Sequence, residues 1–175
     1  MIGPMSNGQQ QLLLPANPVF IWGSLIVALL INMLPLGRVP GMPDVLMVLL
    51  VFWSVYQPAR VGIGAAFVFG IVMDVHQAAL MGQHALAYGV LCYLAIMAHR
   101  RLLWFSLVWQ SLQLLPLFLV AHAVVVALRL ALGDAFPGWS FVLAPVLEAA
   151  LWPLATWILL APQRRPPDRD ENRPL

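Results

Sequence analysis

Between Asn17 and Leu160 the sequence is a succession of apolar runs, broken at intervals by short clusters of glycine, proline, aspartate and arginine. Most runs are about as long as a helix needs to cross a bilayer, and that repetition narrows the fold more than any single motif. The first is Pro18 to Leu36, where Asn17 is a good cap and Pro18 suits the first helical position. Its 19 residues would rise about 28 Å as a helix. Residues 37–41 break it, Pro43-Asp44 repeats the start signal, and Val45 to Tyr56 runs apolar until Gln57-Pro58-Ala59-Arg60. This second crossing is short, which predicts little tilt or a locally thin bilayer. A third begins at Val61 and weakens from Asp74 to Gln77, and a fourth runs from about His84 to Ala98, stopping at His99-Arg100-Arg101. Leu102 to Leu132 is longer than one upright crossing requires and has Pro116 near its middle. That predicts one long kinked or tilted helix, or a crossing with an interfacial start. A turn-rich loop over 133–138 precedes the last run, Phe141 to Leu160, which contains Pro153.

Composition turns this pattern into a class. Only 9% of the residues are charged, against about 25% in a soluble domain, too few to cover a water-facing surface of normal size. The reading is an all-α integral membrane protein of six transmembrane helices in a compact bundle. Residues 1–16 form a short cytoplasmic segment, 17–161 the transmembrane domain, and the Pro-rich, charged stretch 162–175 a disordered cytoplasmic tail. The first ten residues lack a basic region, so no cleaved leader is expected. All basic residues are arginine. With the N-terminus cytoplasmic, Arg60, Arg100, Arg101, Arg164, Arg165, Arg169 and Arg173 fall inside, and only Arg38 and Arg129 outside. That asymmetry favours both termini in the cytoplasm. A net charge of +2 leaves no nucleic-acid footprint. Cys92 is the single cysteine, which excludes an intrachain disulfide and a cysteine-based metal cage.

The stretch Val61 to Tyr88 is the densest in polar and small residues within apolar surroundings. At helical spacing Gly62, Ala66, Gly70 and Asp74 lie four apart on one face, the pattern of a close helix-packing seam. Asp74 would point into the protein, since a charge facing lipid costs about 2.5–3.5 kcal/mol. It reads either as a polar stitch to the amides of the next turn or to His76, His84 or Arg129, or as an ion, proton or substrate site. Pro43, Asp44 and Gly82 mark a turn and helix start, with Asp44 complementing the helix dipole or meeting a partner. Glu148 in the last run has Arg129 and His122 on the preceding run as candidate partners, in a structural pair or an interface.

Catalytic and metal readings find no support in the spacing. His76 and His84, eight apart, have no second carboxylate or cysteine at ligand spacing, so no metal or cofactor is expected. An intramembrane aspartyl protease would need a Gly-x-Gly-Asp approach, whereas the glycine before Asp74 is Gly70. No Gly-x-Ser-x-Gly pattern supports a serine mechanism. The tryptophans at 22, 53, 104, 109, 139, 152 and 157 read as an aromatic belt at the membrane interfaces.

The segments LLLPANPVF, ALLINMLPLG, MPDVLMVLLVFW, RVGIGAAFVFGIVMDVHQAALMGQHALAY, HRRLLWF and FPGW, in this order, resemble the MreD family of rod-shape-determining proteins. The strongest blocks are Pro43-Asp44, Gly70-x-x-x-Asp74 and Leu80-x-Gly82-x-x-Ala85-Leu86-x-Tyr88, and the resemblance runs from about Leu13 to Gln163. It implies a non-enzymatic scaffold or adaptor of the bacterial inner membrane that binds the bitopic protein MreC. MreB, the glycan polymerase RodA and a class B penicillin-binding protein would share the assembly that elongates the cell wall. It also implies a likeness to the six-helix S components of energy-coupling-factor transporters. The alternative is a solute-binding transporter subunit, with Asp74, His76, His84 and Glu148 lining a cavity.

Overall fold

A computed structural model describes residues 17–34, 41–136 and 138–163. Among them are six α-helices: α1 (Pro18–Met33), α2 (Val45–Tyr56), α3 (Ile63–His76), α4 (Gln83–Leu102), α5 (Leu107–Ala131) and α6 (Leu143–Leu160). Short 3-10 turns flank α6 at Trp139–Val142 and Ala161–Gln163. The expected segments 1–16 and most of 162–175, with Arg38 and the tail arginines, lie outside the described residues.

The start signals act as local chemistry dictates. The Asn17 side chain accepts the Val19 amide at 3.0 Å, and Asp44 caps α2 by accepting the Met47 amide at 2.9 Å. Several boundaries differ from the sequence reading. The first helix stops at Met33, where Leu34 is extended; positions 35 and 36 are outside the described residues. The third starts at Ile63, because the Val61 amide bonds back to Gln57 in the preceding turn. The fourth continues through His99-Arg100-Arg101 to Leu102. Cations in a last turn face the free carbonyls, so they prolong the helix rather than stop it. The fifth therefore starts at Leu107, not Leu102. Its 25 residues rise about 37 Å with Pro116 inside.

The helix α2 is the centre of the fold. It packs against α1, α4 and α6, while α5 lies beside α4 and α6, and α3 lies mainly along α4. Nine of its 12 residues are buried, as expected of a helix apolar on every face. At its C-terminal end Phe52 packs on Trp53, Tyr56 and Trp152 with ring centroids 4.9, 4.6 and 6.0 Å apart. Trp53 and Trp152 are thus core residues rather than belt residues. Each indole N–H needs a buried acceptor, and finds one in Ser24 Oγ at 2.9 Å and Gln110 Oε1 at 3.0 Å. The other five tryptophans are exposed.

Two helical stretches, Leu107–Ala131 and Trp139–Gln163, are long and apolar enough to cross a membrane by length and composition; α1, α2 and α3 are apolar but shorter.

Candidate functional site

The acids of the helices and their side-chain partners gather at one end of the bundle, where α1, α3 and α5 finish and α2, α4 and α6 begin. Asp44 stands at the centre. One oxygen, Oδ1, caps α2 and also accepts Asn32 Nδ2, from the last turn of α1, at 2.5 Å. The other accepts the hydroxyl of Tyr88, a fully buried residue of α4. Asn32 completes the exchange by accepting the Val45 amide at 3.2 Å. The backbone N–H of Asp44 donates to Glu148 Oε1 of α6 at 3.0 Å. A carboxylate with this many donors is held in place.

Glu148 is fully buried, and its Oε1 lies 3.5 Å from His122 Nε2 on α5. His122 Nδ1 lies 3.1 Å from the Phe118 carbonyl, so Nδ1 carries a proton there. The contact between Nε2 and Glu148 is then favourable only with a second proton between them. Glu148 Oε2 has no hydrogen-bond partner among the described residues, the one buried oxygen of this layer left unpaired.

Asp74 forms the second half of the layer. From the last turn of α3 its carboxylate accepts the Gly82 amide at 2.9 Å, the His84 amide at 2.8 Å and the Ala85 amide at 3.4 Å. His84 Nδ1 approaches the same carboxylate at 2.7 Å. Gly82, the N-cap of α4, has φ +101° and no side chain to offer the first-turn amides. Asp74 supplies that cap from the neighbouring helix, where an anion also meets the positive end of the α4 dipole. His84 then stacks edge-on against Tyr88, centroids 5.9 Å apart. One chain of contacts therefore runs Asp74–His84–Tyr88–Asp44 and on to Asn32, Glu148 and His122, with a member from every helix.

The small-residue face of α3 divides. Ala66, Gly70 and Asp74 are buried. A Cβ on Gly70 would sit 2.3 Å from Ala85 Cα and 2.5 Å from its nitrogen, so the α3 and α4 backbones touch there. Gly62 is different: it is the N-cap of α3, and a Cβ would come no nearer than 3.8 Å to anything. Pro43, half-buried, leads into Asp44. Arg129 does not join Glu148. It lies two turns beyond His122, in the last turn of α5, half-exposed and 3.5 Å from Asp134. His76 is exposed and also stands apart from Asp74. Sequence reasoning assigned no role to Asn32, nor to Tyr88 beyond its place in a motif. The available signal was a lone amide in the last turn of α1 and a tyrosine hydroxyl in the first turns of α4, both in apolar settings that demand partners.

Chemically the layer fastens helices together. Both oxygens of Asp44 and of Asp74 accept from donors of the chain itself. Among the described residues no group of three His, Cys, Asp or Glu side chains is placed to hold a metal ion.

A family model described as rod shape-determining protein MreD matches residues 15–160. A rod shape-determining protein MreD of Haemophilus influenzae is 27% identical over 126 residues, covering 72% of this chain and 76% of that protein. No solved structure matches the chain.

Proposed function

This chain belongs to the MreD family of rod shape-determining proteins, and from that premise we propose that it is a non-enzymatic scaffold of the cell-wall elongation machinery. In this reading it sits in the bacterial inner membrane, crosses it six times, and binds the transmembrane segment of MreC directly. MreB, RodA and a class B penicillin-binding protein share the assembly, and no cofactor takes part. The observation that carries the proposal is the polar layer. Its two aspartates are engaged through both oxygens by backbone amides and neighbouring side chains, an arrangement suited to holding a fixed shape rather than to turnover or solute capture.

Two features support the membrane frame. Large apolar side chains such as Val68, Val75, Val108 and Leu112 are exposed around the bundle, as lipid-facing positions would be. The meeting of three helix ends with three helix starts in one layer is what alternating up-and-down crossings produce. Arg60, Arg100 and Arg101 belong to the opposite end. With that end and both termini cytoplasmic, the layer lies in the outer half of the bilayer and the buried part of the seam, Ala66, Gly70 and Asp74, sets the α3–α4 surface. A compact bundle of the S-component type is part of the same reading.

The test is a pull-down from native membranes with a C-terminally tagged full chain, read by mass spectrometry. Recovery of MreC with wall-elongation enzymes is expected. An ATPase pair with a coupling subunit in their place would refute the scaffold and favour a transporter subunit. Orientation is read separately in intact cells: a cysteine at Asp134 should react with an impermeant thiol reagent, and one at Phe105 should not.

A further inference from the structure

The end of the bundle opposite the polar layer has its own unassigned feature. The last turn of α4 carries His99, Arg100 and Arg101, and the chain then turns through Leu103, Trp104 and Phe105 before α5 begins. Arg100, Arg101, Trp104 and Phe105 line an open notch of about 430 Å³. Trp104 is 90% exposed at its rim. The dipole of α4 accounts for basic residues in its last turn, but not for a large indole held in the open beside them. Among the described residues neither arginine makes an ion pair. Their planar donor forks are available for a phosphate, which guanidinium groups bind in two-pronged fashion.

One turn further along, a second depression of about 340 Å³ begins at Val108 and Trp109. It extends along α5 through Leu112 to Leu115 and is walled by Val146 and Ala149 of α6. The rise from Val108 to Leu115 is about 10 Å. Its one hydroxyl, on Ser111, is already donated to the Leu107 carbonyl at 3.1 Å, so the groove asks for an apolar occupant. Along the chain from the end of α4 into α5 come cationic donors, then an amphipathic ring, then an apolar trough. That is the order of an anionic phospholipid, with headgroup, glycerol level and acyl chain in turn.

We propose that this notch and groove form a binding site for one phospholipid of net negative headgroup charge, its phosphate between Arg100 and Arg101 and an acyl chain along α5 and α6. The site rests on the membrane reading above but not on any protein partner. A free anion would use only the notch, and a zwitterionic lipid would bring its own cation to the two guanidinium groups along with its phosphate.

The full chain, purified in mild detergent, is titrated with phosphatidylglycerol and with phosphatidylcholine and followed by native mass spectrometry. Phosphatidylglycerol should bind more tightly. A basic residue near an anionic headgroup is worth about fivefold in affinity, so Arg100→Gln with Arg101→Gln should weaken phosphatidylglycerol roughly 25-fold and phosphatidylcholine, whose choline offsets its phosphate, much less. Trp104→Ala should weaken both lipids. Replacing the tail arginines Arg164 and Arg165 by Gln should change neither, and millimolar inorganic phosphate should not displace the lipid. Equal affinity for the two lipids overturns the site, as does a double variant that keeps its preference. Loss of the preference in the tail variant, or displacement by phosphate, overturns it as well. A chain that takes up no lipid and stays monodisperse without detergent would instead refute the membrane reading itself.

Discussion

Replacing Gly70 by alanine adds one methyl group at the place where two helices meet backbone to backbone. The new Cβ would lie 2.3 Å from Ala85 Cα and 2.7 Å from the carbonyl carbon of His84, whereas ordinary contact starts near 3.4 Å. Neither neighbour is a side chain that can rotate away, so α3 and α4 must separate by about 1 Å. The backbone that has to move is the stretch Asp74 grips, through the His84 amide at 2.8 Å and the Ala85 amide at 3.4 Å. Moved by that much, both bonds leave the hydrogen-bonding range. Overpacking of this kind costs about 1–3 kcal/mol. Each weakened bond to a charged acceptor is worth about 1.5–3 kcal/mol when fully made. The gain from alanine over glycine in a helix offsets about 1 kcal/mol. The net expectation is a loss of at least about 2 kcal/mol, or roughly 4–8 °C in midpoint for a chain of this size. The buried Cys92, the single cysteine, provides the assay: its reaction with a thiol dye during heating in detergent reports opening of the bundle. Gly64→Ala on the same helix, with nothing within 4 Å of its Cβ, should be neutral or mildly stabilising. A Gly70→Ala midpoint equal to that of the parent would refute the close-contact reasoning.

The remaining predictions concern the polar layer. Asp74→Ala leaves three α4 amides without their acceptor and should cost about 3–5 kcal/mol, seen as a lowered midpoint in the same assay. Tyr88→Phe removes only the hydroxyl donated to Asp44 and should cost about 1–3 kcal/mol. Combined with Asn32→Ala in a double-mutant cycle, it should show coupling of about 0.5 kcal/mol or more, because both side chains serve one carboxylate. Glu148→Gln keeps an oxygen for the Asp44 amide while removing the unpaired carboxyl oxygen, so its stability should stay within about 1 kcal/mol of the parent; a collapse of the midpoint would mean that the charge itself is needed. Arg129→Ala, which breaks only the half-exposed contact with Asp134, should change stability by less than about 0.5 kcal/mol, whereas His122→Ala should be measurably destabilising.

Features that depend on neighbours along the chain were legible before folding. Asn17-Pro18 and Asp44 start helices because a side-chain oxygen reaches an amide two or three residues on, and Gly82 marks a left-handed turn that other residues resist. The order of six helices and the α2 limits at Val45 and Tyr56 follow from such signals and from run length. The spacing of Gly70 and Asp74 likewise placed them one turn apart on α3. Which sides of the helices meet was decided only in the folded chain. Asp44 and Glu148 are separated by 104 positions, and nothing local brings them together. A soluble helix shows its inward face by carrying polar residues on the other. Here the buried and exposed faces are both apolar, so Trp53 in the core and Trp104 outside it read alike in the sequence. The few polar side chains had to find one another instead. Hydrogen bonds unmet in apolar surroundings are costly enough to set the rotation of every helix, and that choice gave Glu148 His122 rather than Arg129.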